Sequence, residues 1–211
     1  MKDSYRSILQ NVPVCAMINN KKTESELQGD GRNTLWLLQI YAAGKDVSMS
    51  RRDKENYYLD IAQAVSERGT CLRRNFGAII VKNDQILSTG YTGAPRGRKN
   101  CIDLGTCLRE RMNIPRGERY ELCRSVHAEM NAIIHAARAD MIDSTLYLVG
   151  LEAADGTVAE NARPCKICTR LIINAGIKTV KVLEPNEMVT VYEVADFISG
   201  DDIDLSGVQG Y

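Results

Sequence analysis

Two short motifs carry the side chains that could do chemistry. One is His127-Ala128-Glu129 and the other is Pro164-Cys165-Lys166-Ile167-Cys168. Two cysteines three apart at the start of a predicted helix put both sulfurs on one face, as two ligands of one metal ion require. Pro164 suits that helix start, because its missing amide hydrogen is one that would otherwise go unpaired. A Cys-x-x-Cys pair also occurs in redox motifs, but there it follows a thioredoxin-like strand and has no need of a His-x-Glu element. His127 and Glu129 stand two apart and do not share a helix face. On a first turn they diverge, one toward a metal and the other toward a substrate beside it. Two thiolates and one imidazole leave the fourth position of tetrahedral zinc open for water, which is the pattern of a catalytic site. Zinc brings the pKa of that water to about 7, and a carboxylate that is not a ligand can then carry its proton. Helix N-termini at both halves add a positive local field.

The elements that must position these groups follow from residue 51 onward. DKENYYLDIAQAVSERG places Tyr58, Ile61, Ala62 and Val65 at helical spacing, with Gly69 as a stop. GAIIVKNDQILSTGY reads as two strands around a turn at Asn83-Asp84. Thr92 to Leu122, rich in Gly, Pro, Arg and Cys, reads as an elaborate loop with one short helix. SVHAEMNAIIHAARA is helix-like, STLYLVG is a strand, and Asp155-Gly156 marks a hairpin turn. CKICTRLIINAG is a helix ending at Gly176, followed by the strand IKTVKVLEP. Strands alternating with helices imply an α/β fold with a largely parallel central portion. Residues 1–48 read as an appended segment holding Trp36 and Cys15, residues 49–185 as the compact domain, and 186–211 as a strand, helix and tail. Met49 stands where a natural start would serve that domain.

Composition narrows the classes. The formal net charge is +0 over 211 residues, so no global field steers the chain to duplex nucleic acid or to acidic membranes. The most apolar run, Leu35 to Gly44, is too short to span a bilayer, and the N-terminus lacks the apolar core of a signal peptide. Both features point to a reducing, cytoplasmic location. Seven cysteines there suggest metal ligands, reactive thiols or buried apolar thiols before disulfides.

The two motifs together resemble the H-x-E…P-C-x-x-C signature of the zinc deaminases. The resemblance runs from about Arg51 to Pro185, and within it CLRRNFGAIIVKNDQILSTGYTGAPRG and NCIDLGTCLRERMNIPRGERYELCRSVHAE are closest to the deoxycytidylate (dCMP) deaminase branch. It implies that His127, Cys165 and Cys168 bind the catalytic zinc and that Glu129 shuttles protons. It implies the reaction of dCMP and water to dUMP and ammonia, which supplies thymidylate synthesis. The implied fold is a three-layer α/β/α sandwich around a mixed five-stranded sheet, assembled as a homohexamer. Two departures stand out. Thr92 occupies the place where the family commonly has a sugar-contacting Asn, and VGLEAADGTVAENAR separates the strand from the Pro-Cys-x-x-Cys motif, as a hairpin over one edge of the site. Ala128 joins Thr92 as an implied substrate contact.

Other features carry a functional and a bland reading side by side. Cys71, Cys101, Cys107 and Cys123 offer four thiols to a structural zinc. The resemblance implies such a second metal in some members, with Cys71 and Cys101 at positions that serve it. None has Cys-x-x-Cys spacing, and buried thiols are common. Among Arg73, Arg74, Arg96, Arg98 and Lys99, forked guanidinium donors suit a nucleotide phosphate at one or two positions, with Arg74 and Arg96 the favourites and most of the set read as solvated surface charge. His135 has no partner at ligand spacing and reads as a hydrogen-bonded helix residue. The GYTGAPRG loop resembles the region where regulated members bind dCTP or dTTP effectors. Competing functions are a deaminase acting on another cytosine derivative or on tRNA adenosine, and a non-catalytic zinc module in competence or DNA handling. The retained Glu129 argues against the last.

Overall fold

The computed structural model describes residues 51–115 and 117–200. The readings made for residues 1–48, including Trp36 and Cys15, the start at Met49 and the tail from 201 lie outside the described residues. Helix α1 (Lys54–Ser66) starts at Asp53, whose carboxylate accepts the Asn56 amide at 3.0 Å. It buries Tyr58, Leu59 and Ala62, while Ile61 and Val65 pack at the edge of the same cluster.

Strand β1 (Arg74–Lys82) turns through Asn83 and Asp84, both at positive φ (49° and 66°), into the antiparallel strand β2 (Gln85–Tyr91). Asn and Asp tolerate that left-handed backbone better than other side chains, so the predicted turn forms as a two-residue hairpin loop. On the other side of β1 lies β3 (Thr145–Glu152), also antiparallel. Strand β4 (Thr179–Leu183) runs parallel to β3, and β5 (Val189–Glu193) closes the sheet antiparallel to β4. The order β2-β1-β3-β4-β5 is the mixed five-stranded sheet that the resemblance implied. The expectation of a largely parallel centre is overturned, since one neighbouring pair, β3–β4, is parallel. β2 and β3 do run the same way, but β1 sits between them, and a two-residue turn forces β1 to oppose β2.

Alternation along the strands makes three layers. Ile79, Val81, Tyr147 and Val149 face α1. Ala78, Ile80, Leu146, Leu148, Val180 and Val182 face the opposite layer. That layer holds α4 (Ala128–Ile134), α5 (Arg138–Met141), α6 (Lys166–Ala175) and α7 (Val194–Ser199). Leu146, Leu148 and Ile172 are fully buried, each contributing about 1.5–3 kcal/mol of burial energy. The single helix predicted over SVHAEMNAIIHAARA is two short ones, because α4 ends at His135 and the chain is extended at Ala137 (ψ 140°) before α5.

The stretch between β2 and α4 holds more structure than one short helix. Helix α2 (Cys101–Leu104) begins with the Asn100 amide donating to the Asp103 carboxylate at 2.9 Å, and α3 (Leu108–Arg111) and a 3-10 turn (Tyr120–Leu122) follow. Reciprocal main-chain bonds between Gly93 and Val126, 3.2 and 2.8 Å long, pinch this excursion shut one residue before His127. The Asp155-Gly156 turn forms as expected, with Gly156 at φ 74° and Leu151 bridged to Val158. No helix among the described residues is long and apolar enough to cross a membrane.

Candidate active site

Both motifs sit at helix starts, and backbone geometry brings them together. His127 is the N-cap of α4 (ψ 156°) and Cys165 that of α6 (ψ 165°), both extended as a cap requires. α4 can rest directly on the sheet because Gly90 of β2 lies under it; a Cβ at Gly90 would overlap the Ala128 carbonyl and the Ala132 amide. His127 Nδ1 lies 3.5 Å from Cys165 Sγ and 3.4 Å from Cys168 Sγ, and the three donor atoms are all within 4.8 Å of one another. Zinc bonds of about 2.3 Å to sulfur and about 2.0 Å to nitrogen, at tetrahedral angles, separate the donors by about 3.5 Å. The donor set and its spacing therefore fit zinc. No other set of three ligating side chains this close occurs among the described residues.

The three donors share protons through their mutual hydrogen bonds. A hydrogen bond from Cys168, helped by His127, holds the Cys165 thiol down at about 4, although burial opposes it. The same bond, with burial and the Glu129 charge, pushes Cys168 up. Burial alone would lower His127, but Cys123, Cys165 and Glu129 more than offset it and raise it to about 10. A divalent ion reverses this sharing, since it favours deprotonated thiols and a neutral imidazole. Glu129 is 4% exposed, and burial raises its carboxyl above the ordinary range. It neighbours the Cys168 thiol and is not one of the three grouped donors.

His127, Glu129, Cys165 and Thr92 all line one open cleft of about 1380 Å³. Thr92 is buried and its hydroxyl accepts the Phe76 amide at 3.2 Å. Ala128 is placed differently from expectation: its side chain is fully buried in the core beneath α4 and lines no part of the cleft. What Ala128 can offer is its N–H, a first-turn amide outside the helical ladder. Arg74 does line the cleft, but its guanidinium is paired with Glu152 at 2.6 Å. Arg96 lies off the cleft, because the turn closed by the Arg98 amide on Pro95 carries it to the far end of α4. There it bonds His135 Nε2 at 3.3 Å, while His135 Nδ1 donates to the Thr89 carbonyl at 3.1 Å, as the bland reading of that histidine held.

The four loop cysteines reach the same cleft, yet no three of their sulfurs meet at ligand distance. Cys101 Sγ faces the Ser125 hydroxyl at 3.9 Å, and burial raises its thiol. Cys123 adjoins His127; burial would raise its thiol, but His127, the Ser125 amide and Arg109 together lower it. Sequence reasoning missed Arg109 and Tyr120 in the insertion. Arg109 is 6% exposed, and its guanidinium lies 4.6 Å from the Tyr120 ring centre. In LRERM nothing distinguishes that arginine from its exposed neighbour Arg111, because burial here is set by the path of the loop.

Three side chains that could hold one metal ion thus sit together with a buried carboxylate among their neighbours. The chain belongs to the cytidine and deoxycytidylate deaminase family, whose zinc-binding region matches residues 52–184. It is similar to the deoxycytidylate deaminase of Mycobacterium phage D29, 36% identical over 144 residues, covering 66% of this chain and 99% of the relative. It is also similar to that of Schizosaccharomyces pombe, 29% identical over 126 residues, which cover 60% of this chain but only 35% of the relative. Among solved structures, the dCMP deaminase of cyanophage S-TIM5 in apo form aligns with a TM-score of 0.44 at 25% identity, covering 66% of this chain and 90% of that one.

Proposed function

We propose that this protein hydrolyses the amino group of dCMP, giving dUMP and ammonia. The observation that carries the reading is Glu129, buried beside the His127–Cys165–Cys168 cluster and not part of it. A structural metal site has no use for such a group. His127, Cys165 and Cys168 would hold zinc. When bound, zinc supplies a water ionised near neutral pH as the nucleophile for the amino-bearing ring carbon.

The chain's own residues do the rest. Glu129, buried beside the cluster, takes a proton from the attacking water and delivers it to the ring nitrogen, then takes the second proton from the hydroxyl added to the ring carbon and delivers it to the amine, which leaves as ammonia. Thr92 lines the cleft where the sugar would enter. Arg98, Arg111, Arg124 and Arg163 give the cleft a cationic rim suited to a phosphate, which supports a nucleotide over a free base. The relatives named deoxycytidylate deaminase support the same choice. Homo-oligomeric assembly and control by dCTP or dTTP accompany this reading.

The test is ammonia release from dCMP, CMP, deoxycytidine, cytosine and dCTP by zinc-loaded protein, with Glu129→Ala alongside. dCMP should be the best substrate and the variant inactive. No turnover of any of the five rejects the enzyme reading; deoxycytidine or cytosine at least as fast as dCMP rejects only the substrate.

A further inference from the structure

A metal-ligating imidazole usually has its ring fixed by a hydrogen bond from its other nitrogen to a carboxylate or a main-chain carbonyl. Among the described residues, no carboxylate or main-chain carbonyl bonds the ring of His127. The Cys123 thiol does hydrogen-bond the ring, but sulfur is a weak partner, so packing has the larger share in holding the ring plane. Tyr120 supplies the packing, with its ring centre 4.8 Å from that of His127 and the planes at 80°. This edge-to-face contact is the favoured arrangement of two such rings.

Tyr120 is itself held. It opens the 3-10 turn directly after Arg119, whose backbone is left-handed at φ 50°. The Arg109 guanidinium carbon lies 4.6 Å from the Tyr120 ring centre, close enough for a cation–π contact. Arg109 is 6% exposed, its Nη2 donates to the Pro115 carbonyl at 3.1 Å, and its Nε has no partner among the described residues. Burying a guanidinium with a donor unmet is unfavourable unless the position does something in return. What Arg109 faces here is Tyr120.

We propose that Tyr120, clamped by Arg109, is a positioning residue for His127: it sets the imidazole plane so that Nδ1 points at the Cys165 and Cys168 sulfurs. The insertion before α4 thereby tunes metal binding. The proposal rests on the reading of His127 as a metal ligand, and the test separates the two.

The full chain is stripped of metal and titrated with cobalt(II), whose visible bands report thiolate bonding and tetrahedral geometry, and zinc affinity is measured by chelator competition without substrate. Unmodified protein with no cobalt–thiolate band would sink the metal-ligand reading. Given that band, Tyr120→Leu should shift the ligand-field spectrum and weaken zinc by about 10–100-fold, with kcat falling more than KM changes. Tyr120→Phe keeps the ring edge and should restore zinc affinity to within about twofold. Arg109→Leu should move the spectrum the same way by less. An unaltered spectrum and zinc affinity in Tyr120→Leu overturns the proposal, even if turnover falls, since Tyr120 would then act on substrate alone. Should Tyr120→Leu not fold by circular dichroism, Arg109→Leu carries the test, and an unaltered spectrum there overturns it equally.

Discussion

Two sets of cysteines border the same cleft, and the fold treats them in opposite ways. Cys165 and Cys168 open α6, and their sulfurs close on His127 at 3.5 and 3.4 Å. Cys71, Cys101, Cys107 and Cys123 stand before β1, at the start of α2, at the cap of α3 and after the 3-10 turn. They lie near enough for Cys101 to feel the charge of the other three, yet no three converge as ligands. The difference is one of where position comes from. A helix start sets residues three apart onto one face whatever surrounds it. A loop residue takes its place from the path of the whole excursion, and cysteine content says nothing about that path.

The helix-start pair is the more sensitive of the two sets. Cys168 is fully buried with its sulfur in the cluster, so Cys168→Ser should lose both zinc and turnover, read by metal analysis and ammonia release. Retention of a full zinc equivalent by that variant would remove Cys168 from the ligand set. Glu129→Gln comes next, and it separates binding from chemistry. Turnover should fall by about 10²–10⁴-fold, the usual worth of a positioned acid–base group, while zinc content stays as in the unmodified protein. Loss of zinc together with activity would make Glu129 a ligand.

How much of this was readable beforehand follows the same division. The grouping of His127, Cys165 and Cys168, the Asn83-Asp84 turn and the Gly176 stop of α6 were legible because each rests on local backbone geometry: helix starts, a left-handed pair, a left-handed cap (φ 80°). The strand directions were not, because they depend on β1 entering between β2 and β3. The arginines were misjudged for a related reason. Arg74 is spent on Glu152, and Arg96 is turned toward His135, whereas Arg109, with nothing in its local sequence to mark it, is the buried one. Long side chains on loops find partners far along the chain, and a single sequence records none of them.

A smaller effect sharpens the framework side. Gly90→Ala would press a methyl group into the Ala128 carbonyl and the Ala132 amide, forcing α4 off the sheet. Overpacking of this kind costs about 1–3 kcal/mol, measurable by denaturant unfolding. Zinc affinity should fall with it, since His127 caps that helix. A variant that is less stable but binds zinc as before would show that the cluster tolerates movement of α4.

The smallest effect bears hardest on the comparison itself. Cys107 is half-buried and caps α3 with no side-chain hydrogen bond. Serine is a better cap than cysteine, so Cys107→Ser should alter stability by no more than about 0.5 kcal/mol in either direction. Zinc content should hold at one equivalent per chain in both proteins. Here a null result is informative, because a thiol that closes a structural metal site cannot be removed without loss: such sites contribute folding energy outright. Two equivalents in the unmodified protein and one in Cys107→Ser would mean that the loop cysteines draw together around a second ion. The contrast between the two sets would then lie in when they converge, with the helix-start pair arranged by the backbone and the loop set arranged by its metal.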